Sequence, residues 1–183
     1  AAPLPPPNPG SRGAELDTWE KRDLARNPKE DMPAALDLQK RVEADPKAQP
    51  ATRARVLTLV SALNFYNRDY NKAAEQMGQA AALWEANGGP EEKIAEIEHN
   101  RGAILRALGK LSEAEVAAKK AIAIRRRIFR EPSAEVASAV YNLGSIYMSA
   151  GRYEEAVAPL REAMVLQERA APGDAPGLVM RIT

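Results

Sequence analysis

Cysteine is absent from the 183-residue chain, which excludes disulfides, thiolate metal sites and a cysteine nucleophile. Histidine occurs once, as His99. A multi-histidine metal centre is therefore impossible, and a Ser-His-Asp triad could run only through that residue. Aromatic residues make up only 5%, little for a domain built of strands. Neither sign of charge dominates: 26 Lys+Arg against 25 Asp+Glu leave a net +1, whereas a general nucleic-acid binder carries a basic surplus. No run of 18 apolar residues occurs, so no segment is expected to cross a membrane as a helix.

What is present points to helices. Alanine, the best helix former, is the commonest residue, and 28% of the chain is charged. The 45% hydrophobic content supplies a core. The length suits one domain or a short array of repeats.

Residues 1–13 are Pro-rich, as in Pro5-Pro6-Pro7-Asn8-Pro9, and predict an extended tail. A start at Ala1 resembles a mature N-terminus left by signal-peptide cleavage. The expected location is periplasmic or extracellular, with a cytoplasmic one left open. Leu16, Trp19 and Leu24 share a helical face over 14–27, which Asn27-Pro28 should stop. Pro33 suits the first turn of a second helix, followed by Ala35, Leu38 and Val42 and ended by Asp45-Pro46. Residues 14–50 thus predict a helical hairpin.

From residue 51 the sequence repeats itself. Segments 54–87, 95–127 and 137–170 align without internal gaps, and Ser61, Gly102 and Gly144 correspond at spacings of 41 and 42. Ala73, Ala114 and Ala156 correspond too. A fixed period of this size marks a solenoid. Gly102 and Gly144 fall inside helices, where glycine is tolerated when another backbone comes close. The aligned alanines are the expected partners in that contact. Gly109 and Gly151 predict left-handed helix ends, with Arg68 in the same place in the first segment. Ser112 and Glu115 have the spacing of a capping box.

Tyr141-Asn142-Leu143-Gly144-Ser145-Ile146-Tyr147 followed by Gly151-Arg152-Tyr153-Glu154-Glu155-Ala156 resembles the tetratricopeptide repeat. The long period is similar to that of kinesin light chains and many bacterial proteins. The resemblance covers about residues 51–172. It implies an all-α fold, an α-solenoid of antiparallel helix hairpins wound into a right-handed superhelix. Its parts would be the degenerate hairpin at 14–50, three repeats over 51–172, and a partial repeat or capping stub at 173–183. Leu178-Val179-Met180-Arg181-Ile182 there aligns with the start of the third repeat.

No catalytic constellation is found, and no cofactor or metal is expected. Gly102 and Gly109-Lys110 are spaced wrongly for a phosphate loop, and Leu111 follows the lysine. Glu91-Glu92, Glu113 and Glu115, and Glu154-Glu155 fall near helix starts, where carboxylates suit the dipole. Arg125-Arg126-Arg127 falls near a helix end, where cations do.

The resemblance implies that partners are held in a concave groove lined by the first helix of each repeat. Alignment places Arg55, Thr58 and Phe65 there from the first repeat. The second supplies Glu96, His99, Asn100 and Arg106, and the third supplies Ser138, Tyr141, Asn142, Ser145 and Met148. Asn100 and Asn142 occupy matching positions suited to holding a peptide backbone. The implied function is a noncatalytic scaffold binding a protein or peptide, with neither nucleic acid nor membrane insertion involved. Two alternatives stand beside it. One is a subunit that self-assembles head to tail through the N-terminal arm and C-terminal stub. The other is a regulatory domain of a larger enzyme.

Overall fold

The computed structural model describes residues 12–171, so the stub at 173–183 and most of the tail lie outside the described residues. The described chain is all-α. Eight helices follow in order: α1 (Arg12–Glu20), α2 (Pro28–Glu43), α3 (Pro50–Tyr66), α4 (Tyr70–Ala86), α5 (Glu91–Ala107), α6 (Leu111–Ile128), α7 (Ala134–Ser149) and α8 (Tyr153–Ala170). The pairs α3–α4, α5–α6 and α7–α8 are antiparallel hairpins. The chain forms two compact units, one up to Gly88 and one from Gly89.

In the first unit, Leu16 and Trp19 of α1 are fully buried against Ala35, Leu38 and Val42 of α2 and Val56, Val60 and Leu63 of α3. Burying each such aliphatic side chain stabilises by about 1.5–3 kcal/mol. Ion pairs fix the short α1 in place. Arg41 of α2 donates to Glu15 at 2.8 Å, and Arg55 of α3 donates to Asp17 at 2.5 Å and Glu20 at 2.8 Å. The buried Asp31 accepts from Arg22, which also lies over the Trp19 ring.

The first two helices depart from expectation at three points. Helix α1 begins at Arg12, inside the expected tail, and stops at Glu20 rather than running to Asn27; turns fill the stretch between α1 and α2. Helix α2 opens at Pro28, which takes the N-terminal position expected of Pro33. Pro28 suits that place because its missing N–H has no partner there in any case. Pro33 sits inside the helix instead. There it removes the hydrogen bond to the carbonyl four residues back, a loss that the buried Asp31, Ala35 and Leu38 on the same helix offset.

The second unit packs Ile122 of α6, Val136, Ala137, Ala139 and Val140 of α7, and Ala163 and Leu166 of α8 into one cluster. Gly102 and Gly144 are both buried, but they meet different neighbours. A Cβ on Gly102 would lie 3.1 Å from Asn142 Nδ2 and 3.5 Å from the Ala114 carbonyl oxygen. One on Gly144 would lie 2.7 Å from Leu160 Cγ and Cδ2. The atoms nearest to that Cβ therefore belong to Leu160. In the first unit Ser61 holds the corresponding place and donates its hydroxyl to the Ala73 carbonyl at 2.7 Å.

All three hairpin turns close in the same way. The amides of Arg68, Gly109 and Gly151 donate to the carbonyls of Phe65, Arg106 and Met148. The next amides, of Asp69, Lys110 and Arg152, reach back to Asn64, Leu105 and Tyr147 at 2.8–3.0 Å. This paired pattern ends a helix with a left-handed residue, and φ is 73° at Gly109, 70° at Gly151 and 65° at Arg68. The capping box expected of Ser112 and Glu115 does not form. Lys110 is the N-cap of α6 and makes no side-chain cap bond; Glu115 turns instead toward α7 and α8.

Candidate functional site

In the second unit α7 packs against α5 and α6. Asn142 is buried, and its amide donates to the His99 carbonyl at 3.3 Å. That bond joins the first helices of consecutive repeats, so this amide serves packing rather than standing open to a ligand. Among the other first-helix residues, Arg106, Ser138 and Met148 are exposed, Met148 to 46%. Asn100 and Tyr141 are half-buried. Ser145 is also half-buried and donates to the Tyr141 carbonyl four residues back at 3.0 Å. Glu96 pairs with Lys93 at 2.9 Å.

In the first unit the corresponding residues are largely committed within the fold. Arg55 is held by Asp17 and Glu20, and those hydrogen bonds raise its pKa. The Thr58 hydroxyl donates to the Ala54 carbonyl at 3.0 Å. Phe65 packs edge-on against Tyr66 and lies 5.5 Å, ring to ring, from Tyr70.

His99 is half-buried, and its Nδ1 is enclosed with no hydrogen-bond partner. Burial, aided by the charge of Arg125, pushes its pKa down to about 4. The imidazole is thus neutral at physiological pH. Arg125, in the last turn of α6, donates to the Glu135 carbonyl at 2.7 Å. Its neighbours in the basic run are also engaged: Arg126 pairs with Glu131 and Glu162, and Arg127 with Glu91. The run is a set of structural ties between elements.

Sequence reasoning missed one acidic centre, Glu98, and read a second, Glu115, only as a capping residue near a helix start. Glu98 is 2% exposed and accepts from Lys120 at 2.9 Å and from Arg101 at 3.4 Å. The second is Glu115, which accepts from Lys119 at 2.7 Å, Arg152 at 2.5 Å and the Tyr147 hydroxyl at 3.0 Å. Hydrogen bonds from Lys119 foremost, then from Arg152 and Tyr147, hold its pKa down to about 2. The Arg152 guanidinium lies 4.4 Å from the Tyr147 ring centroid. The cluster ties α6 to both helices of the next hairpin. Nearby, a cavity of about 470 Å³ is lined by Ile122, Val140, Leu143, Tyr147 and Pro159 together with charged residues of α6 and α8. None of the groove residues expected from the repeat alignment lines it.

No described helix is long and apolar enough to cross a membrane. Among the described residues no group of three or more acidic or histidine side chains is arranged to hold a metal.

Comparison with known proteins agrees with this geometry. Among curated protein sequences none matches the chain. Among solved structures, BtubC (BKLC) from P. vanneervenii is 26% identical, with a TM-score of 0.71 over 88% of this chain and 63% of that one. This chain therefore spans less than two thirds of that protein's length. A kinesin light chain protein with nearly identical TPR-like repeats, described as putative, from Podosopora anserina is 16% identical, with a TM-score of 0.71 over 88% of this chain and 77% of that one. The family model described as tetratricopeptide repeat matches residues 52–127 and again 93–169. Two overlapping matches that together run through all three hairpins place the chain in the tetratricopeptide repeat family.

Proposed function

We propose that the protein is a noncatalytic scaffold that holds a peptide or protein segment against the first helices of its repeats. The carrying observation is the row of first-helix side chains left outside the core of the second unit. Arg106 and Met148 end α5 and α7 in the open, Ser138 is exposed near the start of α7, and Asn100 and Tyr141 are half-buried between them. A cation, a flexible apolar side chain, a hydroxyl, an amide and a phenol give the mixed polar and apolar surface suited to an extended segment. The family is in general a protein-interaction module, which supports the reading.

The test is site-specific photo-crosslinking in cells. A crosslinking residue at Met148 or Ser138 should capture one defined partner, and the same residue at Lys47 or Gln79 should not. Replacement of Arg106 by Glu should weaken capture. Equal capture from all four positions would overturn the reading.

One observation favours self-assembly as a second reading. Met164 on α8 is 39% exposed, whereas Ile122, in the corresponding place on α6, is 8% exposed beneath α7. A second copy would cover the α8 face as α7 covers α6. Light scattering across a concentration series separates the two readings. Growth in mass that Met164→Lys abolishes supports assembly, and a constant monomer mass rejects it.

A further inference from the structure

A separate feature lies in the first unit. A cavity of about 440 Å³ sits where the start of α2 meets the turn between α3 and α4. Arg26, Lys29, Arg68, Tyr66 and Asn67 are among its lining residues, with Glu30 the one acid.

The arginines of this unit from Arg22 onward fall into two groups. Arg22, Arg41 and Arg55 are held by carboxylates, and Arg53 by the carbonyls of Asp45 and Ala48. Among the described residues, Arg26 and Arg68 have no such side-chain partner, and both line this cavity. Arg68 also has a φ of 65°, where the two corresponding turns use Gly109 and Gly151. Glycine takes that conformation without strain. Arg68 sets a permanent cation at the cavity.

We propose that this cavity binds the phosphate group of a phosphorylated segment of a partner protein. Two guanidiniums and one ammonium outweigh the single carboxylate and match a dianion. The planar donor fork of arginine fits phosphate oxygens in pairs. The volume exceeds that of a phosphate alone and leaves room for the side chain that carries it. Tyr66, 46% exposed, offers a ring face to the flanking residues.

The test uses the full chain and a labelled pool of peptides carrying one central phosphoserine with randomised flanks, followed by fluorescence anisotropy. The phosphorylated pool should bind saturably and the same pool with plain serine should not. Arg26→Gln and Arg68→Gly should each weaken binding by about tenfold or more. Arg68→Gly keeps the turn folded because glycine suits its φ. Lys40→Gln, on α2 but away from the cavity, should leave binding unchanged. Binding that survives Arg26→Gln and Arg68→Gly would overturn the proposal, as would equal binding of the unphosphorylated pool. Inorganic phosphate that competes as well as the phosphopeptides would overturn the assignment to a protein segment.

Discussion

Asn142 on α7 donates to the backbone carbonyl of His99 on α5, and its amide nitrogen occupies the space that a Cβ on Gly102 would need. One hydrogen bond and one glycine are thus two halves of the same contact. Asn142→Ala should cost about 1 kcal/mol from the lost bond. Gly102→Ala should destabilise in the native background and do so less in the Asn142→Ala background. Chemical denaturation of the four proteins in this cycle should show a coupling of about 0.5 kcal/mol or more. Simple additivity would separate the two residues.

Gly144 meets the side chain of Leu160 more tightly still. Its own substitution by Ala should cost about 1–3 kcal/mol through overpacking. The 3.3 Å approach to the Leu160 amide nitrogen limits relief by side-chain movement. Leu160→Ala should recover part of the loss, read as a rise in Tm of the double variant over Gly144→Ala alone.

The Glu115 cluster sets a third expectation. Glu115→Ala removes the shared acceptor of Lys119, Arg152 and Tyr147. It should destabilise by about 1–2 kcal/mol, most of it from the partly buried bond to Tyr147. Tyr147→Phe should reproduce part of that loss, and the two should not add. Equilibrium denaturation of both single variants and the double variant checks this.

Stability should fall in mild acid because of His99. Its folded pKa, about 4, lies below the ordinary value of 6.5. The unfolded chain therefore takes up a proton that the folded one refuses. The fold is at its full strength above pH 6.5 and loses about 1–2 kcal/mol on going to pH 4.5. The stabilisation from Glu115 is fully present across that window and is lost only as pH falls from 4.5 toward 2, since its ordinary value is 4.5 and its folded value about 2. His99→Gln should flatten the slope of stability between pH 6.5 and 4.5.

Arg68→Gly should stabilise the first unit by about 0.5–1 kcal/mol, because a side chain at positive φ carries strain that glycine lacks. Thermal denaturation measures the gain. The same change should weaken phosphopeptide binding, so stability and binding move in opposite directions from one substitution.

Much of the fold was legible because the repeat writes it three times. The small residues at Ser61, Gly102 and Gly144 and the turn positions at Arg68, Gly109 and Gly151 carry their meaning by alignment alone. The first two helices were less legible. Pro28 reads from sequence as a stop for the preceding helix and Pro33 as the start of the next, whereas α2 opens at Pro28 and buries Asp31 ahead of Pro33. Side-chain ties over long separations were illegible for a different reason. Glu115 has a capping-box spacing within its own helix, yet its partners Tyr147 and Arg152 lie in the next hairpin. Glu98 shows the same limit: its spacing to Arg101 is local, while Lys120 reaches it from another helix. The candidate surface was readable as a set of positions, but not which amides and guanidiniums the fold itself would occupy.

The Glu115–Tyr147–Arg152 junction also bears on how freely a hairpin of such an array can be exchanged. In the preceding pair of repeats the corresponding positions hold Ala74, Leu105 and Lys110, which lack both the carboxylate and the phenol. The hairpins share a backbone plan, but the side chains at these matching positions differ. Shuffling or transplanting a hairpin would carry one half of a key away from its lock. A transplant of the last hairpin that is to retain this junction must take Glu115 of the preceding one with it.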